Sequence, residues 1–477
     1  MSSFADIVLP AVARLNLRGR LAHARATTLL VAVGLLATTL AVVVALGPAR
    51  APMLGGFIRI DATSRLFLVV VNAIFLGIAG YVWNRVSAAP ALHVRATRFV
   101  TLTLAFLAAA NTVLVGNHLL LLWVALEATT LAAAPLIVRP GVRASQQASW
   151  RYLLFSSVGL GLVLLGFGCL ARGMEADGHV PTFFIDRLPE VASGHANIWT
   201  KLGLSFVLLG LGTKLGLAPM YSWLPEAYDE APPAVTALLA AVQFNCALVV
   251  LFRIVHVYRP QNGSVIAGVL LAMGLASMGV STLNLIATRN LKRLIAYASI
   301  NHAGVIAIGL GVGKSAAYGL LLYVVSNAFI KAILFLTAGQ IKAHYRTKDT
   351  RQIAGLLKHL PYSGVFLMVG TFALLGFPPF GSFLGELLVL SALVSSNQML
   401  VFAAFCVLVT MSFVATGRTI FPMIWGHRKE AQAWPRQTFV SVLPKIVFLF
   451  VLLALGLYIP PVINGLMREV ASSLGGA

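Results

Sequence analysis

Charge is scarce in this chain. Only 10% of its 477 residues are charged, whereas a soluble globular domain runs nearer a quarter. Acids are scarcer still, with 14 Asp and Glu against 35 Lys and Arg. Cysteine is almost missing: Cys169, Cys246 and Cys406 are scattered, with no CxxC and no metal-ligand spacing. That argues against a disulfide framework, a metal cluster or a zinc site, and each cysteine reads as a small apolar packing residue. No Walker loop, GxGxxG context, HExxH or GxSxG is present. Long polar stretches are lacking too. The longest, about 172–200 with Glu175, Asp177, Asp186 and Glu190, is too short for a soluble domain. No cofactor is therefore expected in this chain, and any cofactor-bearing domain must belong to another.

What is abundant is apolar sequence, 59% of the residues, with a mean hydropathy of +0.90. The expectation is an all-α polytopic membrane protein. In a soluble protein the net charge of +21 would suggest nucleic acid. Here its placement argues for membrane topology and against a nucleic-acid partner. The start is basic (Arg14, Arg18, Arg20, Arg25) and runs into an apolar stretch with no convincing small-residue cleavage site, so it reads as a retained first span.

At about 20 apolar residues per crossing, about 13 spans are expected. They fall near 27–46, 64–84, 97–115, 117–137, 150–171, 202–228, 233–256, 264–286, 292–312, 315–341, 361–388, 399–424 and 441–464. With a cytoplasmic N-terminus, most Lys and Arg then collect at alternate ends: Arg85/Arg95/Arg98, Arg139/Arg143/Arg151, Arg289/Lys292/Arg293, Lys342 to Lys358, and Arg428/Lys429/Arg436/Lys445. That matches the positive-inside rule. Arg253 and Arg259 fall on the other side.

Four ionisable residues lie within spans: Glu127 in LLLLWVALEATTLAAAPLI, Lys214 in GTKLGLAP, Lys331 in NAFIKAILFLTAG and Glu386 in GFPPFGSFLGELLVL. Such residues are costly at mid-bilayer, by about 2.5–3.5 kcal/mol on insertion scales, and mark functional paths by default. The plainer readings are lysines that snorkel to the interface and static interhelical ion pairs. Two features favour transport. Gly/Pro-interrupted spans occur twice, at GLAPMYSWLP and GFPPFGSF, and paired broken helices point to inverted-repeat transporters. Polar residues also lie between the charges: Ser299, Asn301 and His302, then Tyr323, Ser326 and Asn327, then Gln243 and Asn245. His302 alone reads more simply as a satisfied packing residue. Burial disfavours a lysine cation, and an approaching carboxylate restores it, so a Lys–Glu pair with two separations acts as a proton gate.

These segments, in order, resemble the proton-pumping antiporter-like subunits of respiratory complex I, the Mrp antiporters and membrane-bound hydrogenases. WVALEATTLAAAPLI resembles that family's glutamate helix, and KLGLAPMYSWLPEAYDEAPPAVTALLA its lysine-bearing broken helix. RNLKRLIAYASINHAGVI, NAFIKAILFLTAG and GFPPFGSFLGELLVL resemble three later signatures. Within the family, EATTLAAAP and the short C-terminus look most like the F-type component of hydrogenase-4 and formate hydrogenlyase-type complexes.

The resemblance implies two inverted repeats of five helices, 97–257 and 264–424, each with a broken helix. A basic N-terminus (1–26), N-terminal helices (27–96) and a C-terminal helix and tail (441–477) flank them. Glu127 and Lys214 would form the first half-channel pair, Lys331 the central relay and Glu386 the exit-side carboxylate, with His302 also transferring protons. Asn245, Asn301, Asn327 and Tyr323 would support the path. Many relatives carry a lysine or histidine at the place of Asn245, a glutamate at that of Asn301 and a histidine at that of Asn327. Asparagine does not titrate, but it can hold a water.

The implied function is proton translocation as a non-catalytic subunit of a redox-driven complex in a bacterial or archaeal cytoplasmic (inner) membrane. Implied partners are other antiporter-like subunits, quinone-module-like subunits and peripheral redox subunits, a nickel–iron hydrogenase among them. Rival expectations are a cation/proton antiporter subunit, a membrane subunit of an inorganic-carbon uptake complex, and an assembly subunit that transports nothing.

Overall fold

A computed structural model of the chain describes residues 3–47, 51–88, 96–191, 197–427 and 439–474. Arg95, Arg428, Lys429 and Arg436, assigned above to basic ends, lie outside the described residues, as do the side chains of Arg14, Arg18, Arg20 and Arg85. The described residues are helical, with no β-strand. In the first half the helices are α1 (Ser3–Leu46), α2 (Ala62–Ala88), α3 (Ala96–Val115), α4 (Leu119–Ile137), α5 (Arg143–Ala176), the single turn α6 (Leu188–Val191), α7 (Ile198–Leu215), α8 (Trp223–Glu230) and α9 (Pro233–Ala237). A π-helical segment, Leu238–Gln243, leads into α10 (Phe244–Ala287). Then come α11 (Leu291–Val312), α12 (Ala317–Tyr345), the single turn α13 (Leu356–His359), α14 (Pro361–Leu374), α15 (Gly381–Ser395), α16 (Met399–Trp425), α17 (Phe439–Leu457) and α18 (Pro461–Leu474).

Ten helices among the described residues are long and apolar enough to cross a membrane, or up to eleven if the 69° bent pair Val442–Leu457 and Pro461–Leu474 forms one crossing. The difference from about 13 has a geometric source. Pro233–Ala287 runs as one 55-residue helical stretch. At about 1.5 Å per residue that is about 80 Å, far beyond a hydrocarbon core of about 30 Å. It kinks where Asn262 (φ −122°) follows Pro260, since a proline removes a ladder hydrogen bond. Pro361–Leu374 and Gly381–Ser395 are each too short alone.

α12 is the centre of the bundle, buried along nearly its whole length. Close approach is made possible by glycines facing one another. A Cβ on Gly210 of α7 would sit 2.4 Å from the Gly159 carbonyl of α5, and one on Gly385 of α15 would sit 2.7 Å from the Gly319 carbonyl of α12. Membrane helices pack through such small residues because no hydrophobic force draws them together.

The two breaks share one backbone solution. α7 stops at Gly216 (φ +72°), with Leu217 N–H donating to Gly212 O (2.8 Å) and Gly216 N–H to Thr213 O (3.1 Å). α14 stops at Gly376 (φ +68°), with Phe377 N–H donating to Phe372 O (3.0 Å) and Gly376 N–H to Ala373 O (3.4 Å). Both are Schellman ends. Each also gives one of these carbonyls a second, side-chain donor: the Trp223 indole reaches Thr213 O at 2.9 Å, and Ser382 Oγ reaches Ala373 O at 2.6 Å.

Arg253 and Arg259, the exceptions to the charge pattern, are helix caps. Arg253 is buried and donates to Leu114 O (2.8 Å), Val113 O (3.3 Å) and Gly116 O beyond the end of α3, and to Ser64 Oγ (2.8 Å). Asp61 lies 3.6 Å away. Arg259 donates to Leu310 O and Gly311 O at the end of α11. Cations are favoured at helix C-termini, so these two report helix ends and not membrane orientation.

Candidate proton-path site

The expected residues lie in three places along the interior. At the first, α4 carries Glu127 and, one turn on, Thr130. Lys214, in the last turn of α7, is buried and donates to Thr130 Oγ1, with its Nζ 5.4 Å from the centre of the Tyr152 ring. Glu127 is half-buried and accepts from Ser157 Oγ at 3.0 Å, while its other oxygen has no protein partner. The acid and the amine are therefore not in contact, and Thr130 stands between them on the same helix face. Behind them Gln243 joins the Tyr152 hydroxyl (2.7 Å) to Thr129 (3.2 Å).

The second place is the centre. Lys331 on α12 is buried, its Nζ 3.7 Å from the centre of the Phe244 ring, a cation–π contact. No described carboxylate forms an ion pair with it. Asn245, beside Phe244, donates to Ala241 O (2.6 Å) in the π segment. The Asn245 and Asn327 side-chain carbonyls and the Ser326 hydroxyl are buried without a protein partner. Orphaned buried polar atoms of this kind are where internal water sits. The extra residue in the π turn sets the angle at which Phe244 and Asn245 meet α12, and such turns gather at functional sites.

The third place is a cavity of about 30 Å³ lined by Asn301, His302, Tyr323, Glu386 and Ser412 among others. That is room for water. The His302 Nδ1 is hydrogen-bonded to the Tyr323 hydroxyl, and their rings stack at 5.5 Å. Asn301 donates to Ser412 Oγ at 2.8 Å, which meets Thr282 Oγ1 at 2.7 Å. Glu386 folds back to its own break: a Cβ on Gly376 would lie 2.7 Å from Glu386 Oε2. Gly376→Ala should therefore cost about 1–2 kcal/mol for the left-handed backbone alone and also displace the carboxylate. Thermal unfolding of the purified variant measures the first effect.

Sequence reasoning missed Thr130, Tyr152, Ser157 and Ser412. Thr130 was findable at the i+3 spacing from Glu127; the others depend on which helices meet. It also missed a charge cluster just past the first break. Asp229 is buried and accepts from Asn290 Nδ2 (2.9 Å), Lys348 Nζ (3.1 Å) and Arg293 Nε (3.2 Å). Glu230 accepts from Lys348 (2.6 Å) and from Arg139. The buried Lys292 donates to the carbonyls of Asp229 (3.1 Å) and Ala231 (2.7 Å). Burial alone would raise the Asp229 and Glu230 carboxyls, but the charge and hydrogen bond of Lys348 outweigh it and hold both below their ordinary values. Among the described residues no group of three or more His, Cys, Asp or Glu is arranged to hold a metal ion.

The family model for the transmembrane part of the NADH:quinone oxidoreductase/Mrp antiporters matches residues 116–412. The chain belongs to that family. Glu127, Lys214, Lys331 and Glu386 all fall within the matched segment. This antiporter-like subunit is 30% identical over 418 residues to a hydrogenase-4 component F homolog from Methylacidiphilum infernorum, covering 85% of this chain and 86% of the relative. Its fold matches a chain of the membrane-bound sulfane sulfur reductase, an archaeal respiratory membrane complex, with a TM-score of 0.83 at 22% identity and 98% of each chain covered. A chain of the Mrp complex from Dietzia sp. DQ12-45-1b matches with a TM-score of 0.79 at 20% identity, over 98% of this chain and 94% of the other. Both of these neighbours are chains of membrane complexes.

Proposed function

We infer that this subunit moves protons across a bacterial or archaeal cytoplasmic membrane, driven by electron transfer in partner subunits of a complex I-like oxidoreductase of hydrogenase-4 type. The observation that carries the reading is the chain of buried ionisable groups, Lys214, Lys331 and the Glu386 cavity, separated by polar atoms with unfilled hydrogen-bonding capacity. Glu127 and Lys214 serve the first half-channel, through Thr130. Lys331 is the central station, its neighbours Asn245 and Asn327 holding water in place of titratable side chains. His302, Tyr323 and Asn301 serve Glu386 on the way out. The chain itself holds no redox centre. Its partners include quinone-module-like subunits and peripheral redox subunits such as a nickel–iron hydrogenase, and its N-terminus is cytoplasmic.

The matching Schellman breaks support two inverted repeats, 97–257 and 264–424, and about 13 crossings. Two crossings lie in Pro233–Ala287 and one in Pro361–Ser395. The function is tested by donor-driven proton uptake in vesicles holding the assembled complex. Uptake in sodium-free medium is expected. A strict sodium requirement would replace this reading with cation/proton antiport, to which the Mrp fold likeness also leads.

A further inference from the structure

Lys445 lies on α17, outside the matched segment 116–412. The sequence places it among the basic ends of the last span, but the structure buries it completely, at 0% exposure. Its Nζ donates to Gln340 Oε1 and lies 4.9 Å from the centre of the Phe366 ring. Ser363 Oγ donates to the same Oε1 at 3.2 Å. No described carboxylate pairs with it. Three helices, α12, α14 and α17, meet at this amine.

On α12, residues 331, 334, 337 and 340 follow one another at i, i+3 spacing, so neighbours along this row touch. Its members are Lys331, Leu334, Thr337 and Gln340. The row winds half a turn around the helix while rising about 14 Å. Leu334 packs against Gly370 of α14. Thr337, and Thr371 beside Gly370, are fully buried with hydroxyls that have no protein partner. A hydroxyl both donates and accepts, and buried orphans of this kind take water. At the same end of α12 a cavity of about 10 Å³ lies among Ala338, Lys292, Lys342 and Lys348.

Lys445 could be an anchor for the last span. An anchor needs only a donor to Gln340, which arginine or glutamine also supplies. A neutral amide oxygen accepts from an ammonium and, more weakly, from a neutral amine. Lys445 can thus release a proton without losing its partner.

We propose that Lys445 is a proton-transfer residue that loads Lys331 from the face bearing Lys342 and Lys348, through water held at Thr337 and Thr371. The proton leaves the Lys445 ammonium, passes to the neutral Lys331 amine, and Lys445 is reprotonated from that face. The proposal rests on the proton-translocating reading above.

The test uses Lys445→Arg and Lys445→Gln in the assembled complex, with Lys331→Met beside them, reading assembly and donor-driven proton uptake. Arginine keeps the charge and the contact but does not give up its proton. Both Lys445 variants are expected to assemble and to slow uptake about a hundredfold. Normal uptake in Lys445→Arg with loss in Lys331→Met overturns this proposal alone. Normal uptake in all three overturns the proton-translocating reading itself. Failure of both Lys445 variants to assemble makes Lys445 an anchor and overturns the proposal.

Discussion

Lys214→Ala in the assembled complex is expected to cut proton uptake about a hundredfold, the low end of what a positioned proton-transfer group contributes. The amine is buried on one hydroxyl, Thr130, with Glu127 a helical turn beyond it. Removing the amine leaves the path with nothing to carry charge between α4 and the centre. Thr130→Val should cost much less, because it removes an orienting contact and leaves both titratable groups. Glu127→Gln should resemble the lysine loss, since glutamine keeps the contact to Ser157 without binding a proton. Uptake rates per assembled complex separate the three. Undiminished uptake in Lys214→Ala would sink the assignment.

The second large effect is on stability. Asp229→Ala should destabilise the protein by about 1–3 kcal/mol, the cost of leaving polar partners unsatisfied, because Arg293 and Lys348 stay partly exposed. Arg293, Lys348 and Asn290 would lose their shared acceptor, and the segment after the first break would be left tied to α11 by the Lys292 contacts to the carbonyls of residues 229 and 231. Acidification should act in the same direction. The carboxyls of Asp229 and Glu230 are held low in the folded state, so their stabilisation is full above the unfolded value, about 4. It is lost as the pH falls from there through the folded value. Thermal unfolding of Asp229→Ala and wild type between neutral and acid pH reads both. If the cluster contributes as argued, the acid slope is shallower in the variant.

Much of this was legible from residue types alone. The charges inside apolar runs singled out Glu127, Lys214, Lys331 and Glu386 as candidates, because burying them is costly. The breaks were legible because a glycine with proline two or three residues on is a common helix stop, and GLAP and GFPP end their helices in the same way. What composition could not reach were contacts made across helices. Thr130, Tyr152 and Ser412 are ordinary polar residues until the bundle brings a lysine, a glutamine or an asparagine to them. Lys445 shows the same limit from the other side. It stands in a basic stretch near the end of a span, where lysines usually reach water, and only the meeting of α12, α14 and α17 closes over it. The span count differs at Pro233–Ala287 because a kinked helix keeps its backbone continuous where the apolar sequence suggests two segments.

The two capping arginines also set an order of events during synthesis. The carbonyls that hold Arg253 belong to residues 113–116, which leave the ribosome before it does. Those that hold Arg259, on Leu310 and Gly311, are made some 50 residues later. The first guanidinium thus arrives at a finished socket. The second has no socket until α11 has been made.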